Sequence, residues 1–157
     1  MQITIENLKK MGIVFPDNVI ADIFVNVLTD LIDNSIGEWL SGILTVEQLN
    51  DFDSILCGDE RIINKWIDMY TPEELDRVQL ILDNEIDMAL NKLLVTSVPD
   101  YKERTIDMCM SYMEALRNNV AGINKELITI GGTDKNEIVR VCERLVKKSL
   151  VCQMTDS

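Results

Sequence analysis

Histidine does not occur in this chain of 157 residues. Its absence excludes Ser-His-Asp and Cys-His catalysis, and it removes the side chain that most transition-metal sites use. Aromatic residues make up 5% of the sequence, which argues against the aromatic-lined cleft of a sugar-cleaving enzyme. We therefore expect a protein that is not an enzyme and that binds neither a metal ion nor another cofactor.

Proline and glycine are scarce, with three and seven residues, and this scarcity favours long helices over many short strands. No run of 18 uncharged apolar residues is present, so we expect no membrane span. The first residues, MQITIE, show no basic segment followed by an apolar stretch, so we expect no signal peptide. These features predict a cytoplasmic protein, or a virion protein if a phage encodes the chain.

The four cysteines, Cys57, Cys109, Cys142 and Cys152, show no C-x-x-C spacing. The first three lie in or beside apolar helical patterns. We therefore expect the cysteines to be reduced and mostly buried, as is typical of a cytosolic protein.

Basic residues are outnumbered by acidic ones, 15 to 27, and the net charge is −12. Residues 1–100 carry 19 acidic and 6 basic side chains, whereas residues 101–157 carry 8 and 9. An acidic surface repels nucleic-acid phosphates and anionic membranes, so direct binding to either is disfavoured. A basic partner surface is its natural complement, although a charged surface that only keeps the protein in solution is the simpler interpretation.

Apolar residues recur at spacings of three and four along most of the chain, and this pattern predicts seven helices. Thr45-Val46-Glu47-Gln48 and Thr71-Pro72-Glu73-Glu74 are capping boxes, each of which starts a helix. The second predicted helix starts near Asp17, and its sequence allows a bend or break at Ser35-Ile36-Gly37 or fraying at Gly42. The other predicted helices cover approximately residues 4–11, 46–56, 60–70, 72–96, 100–127 and 135–151.

The predicted fold class is therefore all-α, with one helical bundle of six to seven helices that forms a single domain over residues 1–157. The charge changes near residues 97–100, which leaves open a sub-division into an acidic part, 1–96, and a near-neutral part, 101–157. Residues 128–130 are predicted to be extended and to be followed by a turn at Gly131-Gly132. A helix N-terminus after such a turn can hold an anion, but the spacing and the lysine of a phosphate-binding loop are missing here.

Three acidic clusters, at residues 51–53, 59–60 and 83–87, invite comparison with cation sites. None of them shows the alternating oxygen ligands, the glycine at the sixth position and the glutamate at the twelfth that an EF-hand calcium loop requires. Asp83 and Asp87 are four residues apart in a predicted helix, so we expect them on one solvated face. The clusters therefore predict no metal site.

Basic side chains gather on the last predicted helix, where Arg140, Arg144, Lys147 and Lys148 share one face. Positive charge near a helix C-terminus complements the helix dipole, which is the plainest interpretation. The alternative is a docking strip for an acidic partner surface, such as residues 1–100 of a neighbouring copy. These four residues are the candidate interaction residues.

Residues from about 14 to 78 resemble a family of short helical proteins. The matching pattern is a long apolar and acidic helix, the segment Leu44-Thr45-Val46-Glu47-Gln48-Leu49 with Phe52, a helix that ends at Gly58-Asp59-Glu60, and an Ile/Trp-rich helix before Pro72. The family is an uncharacterised domain of bacteria and their phages. The resemblance covers less than half of the chain and implies a helical fold, without an activity or site residues.

The first functional hypothesis is a non-enzymatic structural or protein–protein interaction component, in a phage virion or another large assembly. Its partner would be a protein, and a second copy is the simplest one. Apolar side chains left exposed on the long second and sixth predicted helices would form the interface. The methionine content gives some support, although methionine more often fills a core. The alternative is an acidic regulatory binder that mimics a nucleic acid and inhibits a basic protein.

Overall fold

The computed structural model describes residues 3–130 and 134–155. Over these residues the chain forms nine α-helices and one 3-10 helix, and no β-strand, so the all-α prediction is confirmed. The α-helices are α1 (Ile5–Lys10), α2 (Asn18–Ile43), α3 (Val46–Leu56), α4 (Glu60–Ile67), α5 (Pro72–Gln79), α6 (Glu85–Ser97), α7 (Tyr101–Arg117), α8 (Val120–Leu127) and α9 (Lys135–Thr155).

The predicted number of six to seven helices is too low, because two of the predicted helices are each split. The helix predicted over residues 72–96 is interrupted between α5 and α6, where the Asn84 side chain accepts a hydrogen bond from the Asp87 backbone N–H at 2.8 Å. The helix predicted over 100–127 is interrupted at Asn118 and Asn119, between α7 and α8. Asparagine, which is disfavoured in helix interiors, stands at both breaks. At the second break Asn119 makes no capping hydrogen bond, and its Nδ2 instead donates to Ser149 Oγ at 2.9 Å.

Two further segments differ from the prediction. Residues 128–130, which we expected to be extended, form the 3-10 helix. The α2 helix runs without interruption through Gly37, where the sequence allowed a bend. The Gly131-Gly132 turn lies outside the described residues.

The predicted helix caps are confirmed. Thr45 and Thr71 each accept a hydrogen bond from the backbone N–H three residues ahead, and Gln48 and Glu74 reach back to complete the capping boxes. Gly12 follows α1 with a φ of 106°, a backbone conformation that side-chain-bearing residues rarely adopt. These ends are encoded locally, which explains why the bounds of α1 and α3 agree with the sequence pattern.

The chain divides into two compact units. Unit 1 consists of Met1–Gly37 with Thr105–Ser157, and unit 2 consists of Glu38–Arg104. The two ends of the chain therefore belong to one unit, and the middle of the chain forms the other. This division differs from the sub-division near residues 97–100 that the charge pattern left open. The single domain over residues 1–157 stays a prediction.

The core of unit 1 forms along α2. Phe24 and Leu28 are fully buried there, and the ring of Phe15 packs edge-on against Phe24 with 5.6 Å between the ring centroids. The same cluster draws buried apolar residues from α1 and α7 to α9: Leu8, Leu116, Ile123, Leu127, Ile138, Val141, Cys142, Leu145 and Val146.

Unit 2 has its own core, formed where α3, α4 and α6 pack against one another. Its buried members include Ile55, Ile63, Trp66, Leu93 and Leu94. Tyr70 joins them through its hydroxyl, which donates a hydrogen bond to the Met88 carbonyl at 2.7 Å. Across the described residues, none of the helices combines the length and the apolar character needed to cross a membrane.

The side chain of Asn124, on α8, holds the loop that follows α1. Its Oδ1 accepts a hydrogen bond from the Val14 backbone N–H at 2.8 Å, and its Nδ2 donates one to the Gly12 carbonyl at 2.9 Å. One asparagine thereby satisfies two backbone groups that lie more than a hundred residues away in the sequence, and it keeps the intervening Ile13 buried.

We expect Asn124→Ala to lower the free energy of unfolding by about 1–2 kcal/mol, because two hydrogen bonds are lost and two backbone groups need new partners. Urea denaturation followed by far-ultraviolet circular dichroism measures this change. The control is Asn118→Ala, since the Asn118 side chain is exposed. Equal stability of the two variants would contradict this role of Asn124.

Candidate interaction surfaces

The predicted basic strip, Arg140, Arg144, Lys147 and Lys148, is exposed on α9. The four side chains line one shallow surface together with Glu143 and with Val151, which is 59% exposed. The strip therefore combines positive charge with one exposed aliphatic side chain.

Carboxylates of unit 1 already pair with most of this strip. Glu126 on α8 lies 3.0 Å from Arg144 Nη2 and 3.7 Å from Lys148 Nζ, and Glu137 lies 3.6 Å from Arg140. Lys147 has no ion pair among the described residues. Exposed ion pairs of this kind contribute little stability. The strip therefore remains a candidate interaction surface, although carboxylates of the same unit neutralise much of its positive charge. Sequence reasoning missed Glu126, because its position depends on the packing of α8 against α9.

Most of the negative charge belongs to unit 2. Residues 38–104 carry 15 acidic and 6 basic side chains, a net charge of −9, and unit 1 accounts for the other −3. Thirteen of these fifteen carboxylates are exposed. The acidic surface expected for residues 1–100 is thus concentrated on the middle of the chain.

Asp51 is the buried exception among these carboxylates. Its Oδ2 accepts hydrogen bonds from Lys65 Nζ at 2.7 Å and from Trp66 Nε1 at 3.0 Å. Burial pushes the pKa of Asp51 upward, but the two hydrogen bonds and the charge of Lys65 outweigh that effect and hold the pKa below its ordinary value. Asp51 therefore stabilises the core of unit 2 through its hydrogen bonds to Lys65 and Trp66. Among the described residues, no group of three or more His, Cys, Asp or Glu side chains is placed to hold a metal ion.

Acid should weaken unit 2 through Asp51. The pKa of Asp51 in the folded protein is lower than the ordinary value of 3.8. The carboxylate therefore stabilises the fold at pH values above 3.8. This contribution is lost as the pH falls through the folded-state pKa. We expect Asp51→Asn to lower the free energy of unfolding by about 1–3 kcal/mol near pH 7. The variant should also lose less stability than the wild type between about pH 5 and pH 3.

Tryptophan fluorescence measures this effect selectively, since both tryptophans, Trp39 and Trp66, belong to unit 2. The decline should persist in part in the variant, because hydrogen bonds from Thr71 and Lys92 also lower the pKa of Glu74. The control is Asp53→Asn, at an exposed position on the same helix. Identical pH profiles of the Asp51 variant and the wild type would contradict this assignment.

The expectation of mostly buried cysteines is wrong. Cys142 is buried, Cys109 is half-buried, and Cys57 and Cys152 are exposed; none of the four forms a disulfide in the described part of the chain. Burial raises the pKa of the Cys142 thiol to about 11, and the neighbouring charge of Glu143 adds to the effect. Cys57 is the C-cap of α3, directly before Gly58 with its φ of 84°, so it lies where the helix ends.

Cys142 should resist alkylation in the folded protein, because both burial and the raised pKa suppress its reactive thiolate. We expect iodoacetamide to modify Cys142 at least roughly a hundredfold more slowly than Cys57, and to modify both at similar rates in urea. Peptide mass spectrometry over time measures the two rates. Rapid modification of Cys142 in the folded protein would show that its environment is not the one described.

An apolar face of α7 remains uncovered in unit 1. Ile106 is 43% exposed and Met110, one turn further on, is 54% exposed. Beside Ile106 lies a groove of about 390 Å³ that is lined by Ile3, Ile32, Ile36 and Cys109 among others. Both exposed residues belong to the apolar stripe that the sequence pattern predicts.

A second groove, here called the methionine groove, lies beside Met110. Met11, Met110 and Met113 provide its apolar lining, Lys10, Glu114 and Arg117 provide charged side chains, and its volume is about 460 Å³. Neither Lys10 nor Arg117 forms an ion pair with a carboxylate in the described ranges. The methionines were noted in the sequence, but the two cations were not, because α1 and α7 are distant in sequence.

Unit 2 exposes the most accessible large apolar side chains of the described residues. Leu80 and Ile81 are 86% and 80% exposed, in the α5–α6 link (residues 80–84). The prediction of one helix over residues 72–96 did not indicate this exposed pair. In that helix Leu82 belongs to the buried apolar stripe, and Leu80 and Ile81 lie off the stripe. The presence of two adjacent aliphatic residues off the stripe was the feature of the sequence that could have indicated an exposed apolar pair.

Comparisons with protein-family models, with curated proteins and with solved structures find no match to this chain. The resemblance over residues 14–78 stays a prediction.

Proposed function

We propose that the protein is a non-enzymatic structural or protein–protein interaction component, and that it associates with further copies of itself. The observation that supports this proposal is the exposed apolar face of α7, formed by Ile106 and Met110. It would act in the cytoplasm, or in a virion or another large assembly if a phage encodes it. Direct contact with nucleic acid or a membrane is not part of the proposal, since the net charge is −12.

Isolated apolar residues are common on protein surfaces and need no explanation. The face of α7 differs from them in three respects. Its two exposed residues are one helical turn apart, Met113 continues the same face at half burial, and a groove lies beside each exposed side chain. Methionine side chains also adapt to partners of irregular shape. A contiguous apolar surface of this kind favours binding to protein.

The α2 helix contributes much less to such an interface than the sequence suggested. Its stripe is buried at Ile20, Phe24, Val27, Leu28, Ile32 and Leu40, and its exposed large apolar residues, Val19 and Ile43, lie at its two ends. The proposal therefore concerns α7, whose apolar stripe is longer than its core contacts require.

We expect the wild-type protein to be a multimer at both low and high salt, because burial of apolar surface does not weaken with ionic strength. Ile106→Asn with Met110→Gln should weaken association at least roughly tenfold, given about 1.5–3 kcal/mol for each apolar side chain that is buried. Light scattering over a concentration series at two salt concentrations measures both effects.

The control is Ile128→Asn, which changes an aliphatic side chain of unit 1 that is 72% exposed and lies outside α7. This variant should associate as the wild type does. A wild-type protein that is monomeric at both salt concentrations would contradict self-association.

The second candidate function is an acidic regulatory binder of a basic protein, in the manner of a nucleic-acid mimic. The net charge of −9 on unit 2 and its thirteen exposed carboxylates support it. Capture of a basic nucleic-acid-binding protein should weaken steeply as salt rises, since the attraction is between exposed charges. Binding that is unchanged from low to high salt would contradict this alternative.

A further inference from the structure

We propose that the α5–α6 link of one copy docks in the methionine groove of a second copy. Leu80 and Ile81 would insert beside Met110, and the acidic residues around them would face Lys10 and Arg117. The inference rests on the proposed self-association and specifies its two surfaces. It joins unit 2 of one molecule to unit 1 of another, so the two contact surfaces on each molecule are different.

The methionine groove is suited to aliphatic guests. Met11 and Met113 are half-buried against the core of unit 1, whereas Met110 is 54% exposed at its edge. The volume of about 460 Å³ leaves room for branched aliphatic side chains. Unbranched thioether side chains rearrange readily around such guests.

The α5–α6 link presents its aliphatic pair from an ordered backbone. The N–H groups of Ile81 and Leu82 both donate to the Val78 carbonyl, at 3.0 and 2.8 Å, so the link starts as a hydrogen-bonded turn at the end of α5. Leu82 is half-buried and anchors the segment, while Leu80 and Ile81 project from it. Little ordering is therefore needed before the pair is buried.

Charge favours the pairing of these two surfaces. Asp76, Arg77, Asp83 and Glu85 lie within five residues of the pair and are exposed, and together they carry a net charge of −2. The charged lining of the groove, Lys10, Glu114 and Arg117, has a net charge of +1, and neither of its two cations has an ion pair in the described part of unit 1. In a chain with nearly twice as many acidic as basic residues, a groove of net positive charge whose cations are unpaired among the described residues favours an acidic, apolar guest. The α5–α6 link of a second copy has both properties.

Because the two surfaces differ, each copy can donate a link and accept one, and the contact is head-to-tail. This geometry allows a decisive mixing experiment. The groove variant is Met110→Glu with Arg117→Glu, and the link variant is Leu80→Ser with Ile81→Ser. All four positions are exposed, so we expect both variants to fold, which circular dichroism and tryptophan fluorescence check.

Each variant alone should be monomeric where the wild type is a multimer, with association weakened at least tenfold. An equimolar mixture should form a dimer of twice 17.9 kDa, because one variant supplies an intact groove and the other an intact link. The dimer cannot grow further. Val46→Ser with Leu56→Ser, at two other exposed aliphatic positions of unit 2, should associate as the wild type does.

A mixture that stays monomeric overturns the proposal, and so does a link variant that remains a multimer. If the link variant remains a multimer, self-association through α7 is still possible, so this result distinguishes failure of the link proposal from failure of self-association. A monomeric wild type overturns both.

A photo-crosslinking amino acid in place of Ile81 gives a second measurement in the otherwise unaltered chain. It should attach to peptides that contain Met11 or Met110 of the second copy, which isotope labelling identifies. Crosslinks confined to other peptides, or none at all, overturn the proposal.

Discussion

The apolar stripe of α2 is the constraint on which unit 1 depends. A helix of 26 residues cannot leave Phe24, Leu28 and Ile32 in water, and burial of such side chains is the main driving force for folding. Residues from both ends of the chain cover them, among them Leu8 before α2 and Leu145 near the C-terminus. The two ends are therefore one unit, and the middle of the chain needs a core of its own.

The two units also differ in the charge and the apolar side chains that they expose. Unit 1 carries a net charge of −3, exposes the apolar face of α7, and places Lys10 and Arg117 beside methionines. Unit 2 carries −9 and exposes Leu80 and Ile81. One molecule thus offers two surfaces of complementary character. Under the proposed function, these are the two surfaces through which one copy would contact the next.

Most features that depend on neighbouring residues could be predicted from the sequence, and those that depend on distant ones could not. The caps at Thr45 and Thr71 involve side chains three residues apart, so the sequence displays them directly. The pairing of Glu126 with Arg144 depends on how helices pack. The break before α6 was missed because apolar periodicity continues through it, although Asn84 marks it. The basic strip was visible as a pattern, whereas its internal carboxylates were not.

The central claim is that contact between copies covers the α5–α6 link, whose Leu80 and Ile81 the single chain leaves exposed. Hydrogen–deuterium exchange of the wild-type protein at a low and a high concentration tests it most directly, since the amides of residues 80–84 lie outside helices and report any covering of the α5–α6 link. We expect slower exchange in this link at the high concentration, where the protein associates. Exchange that is equally fast at both concentrations, in a sample whose mass shows association, would contradict the account.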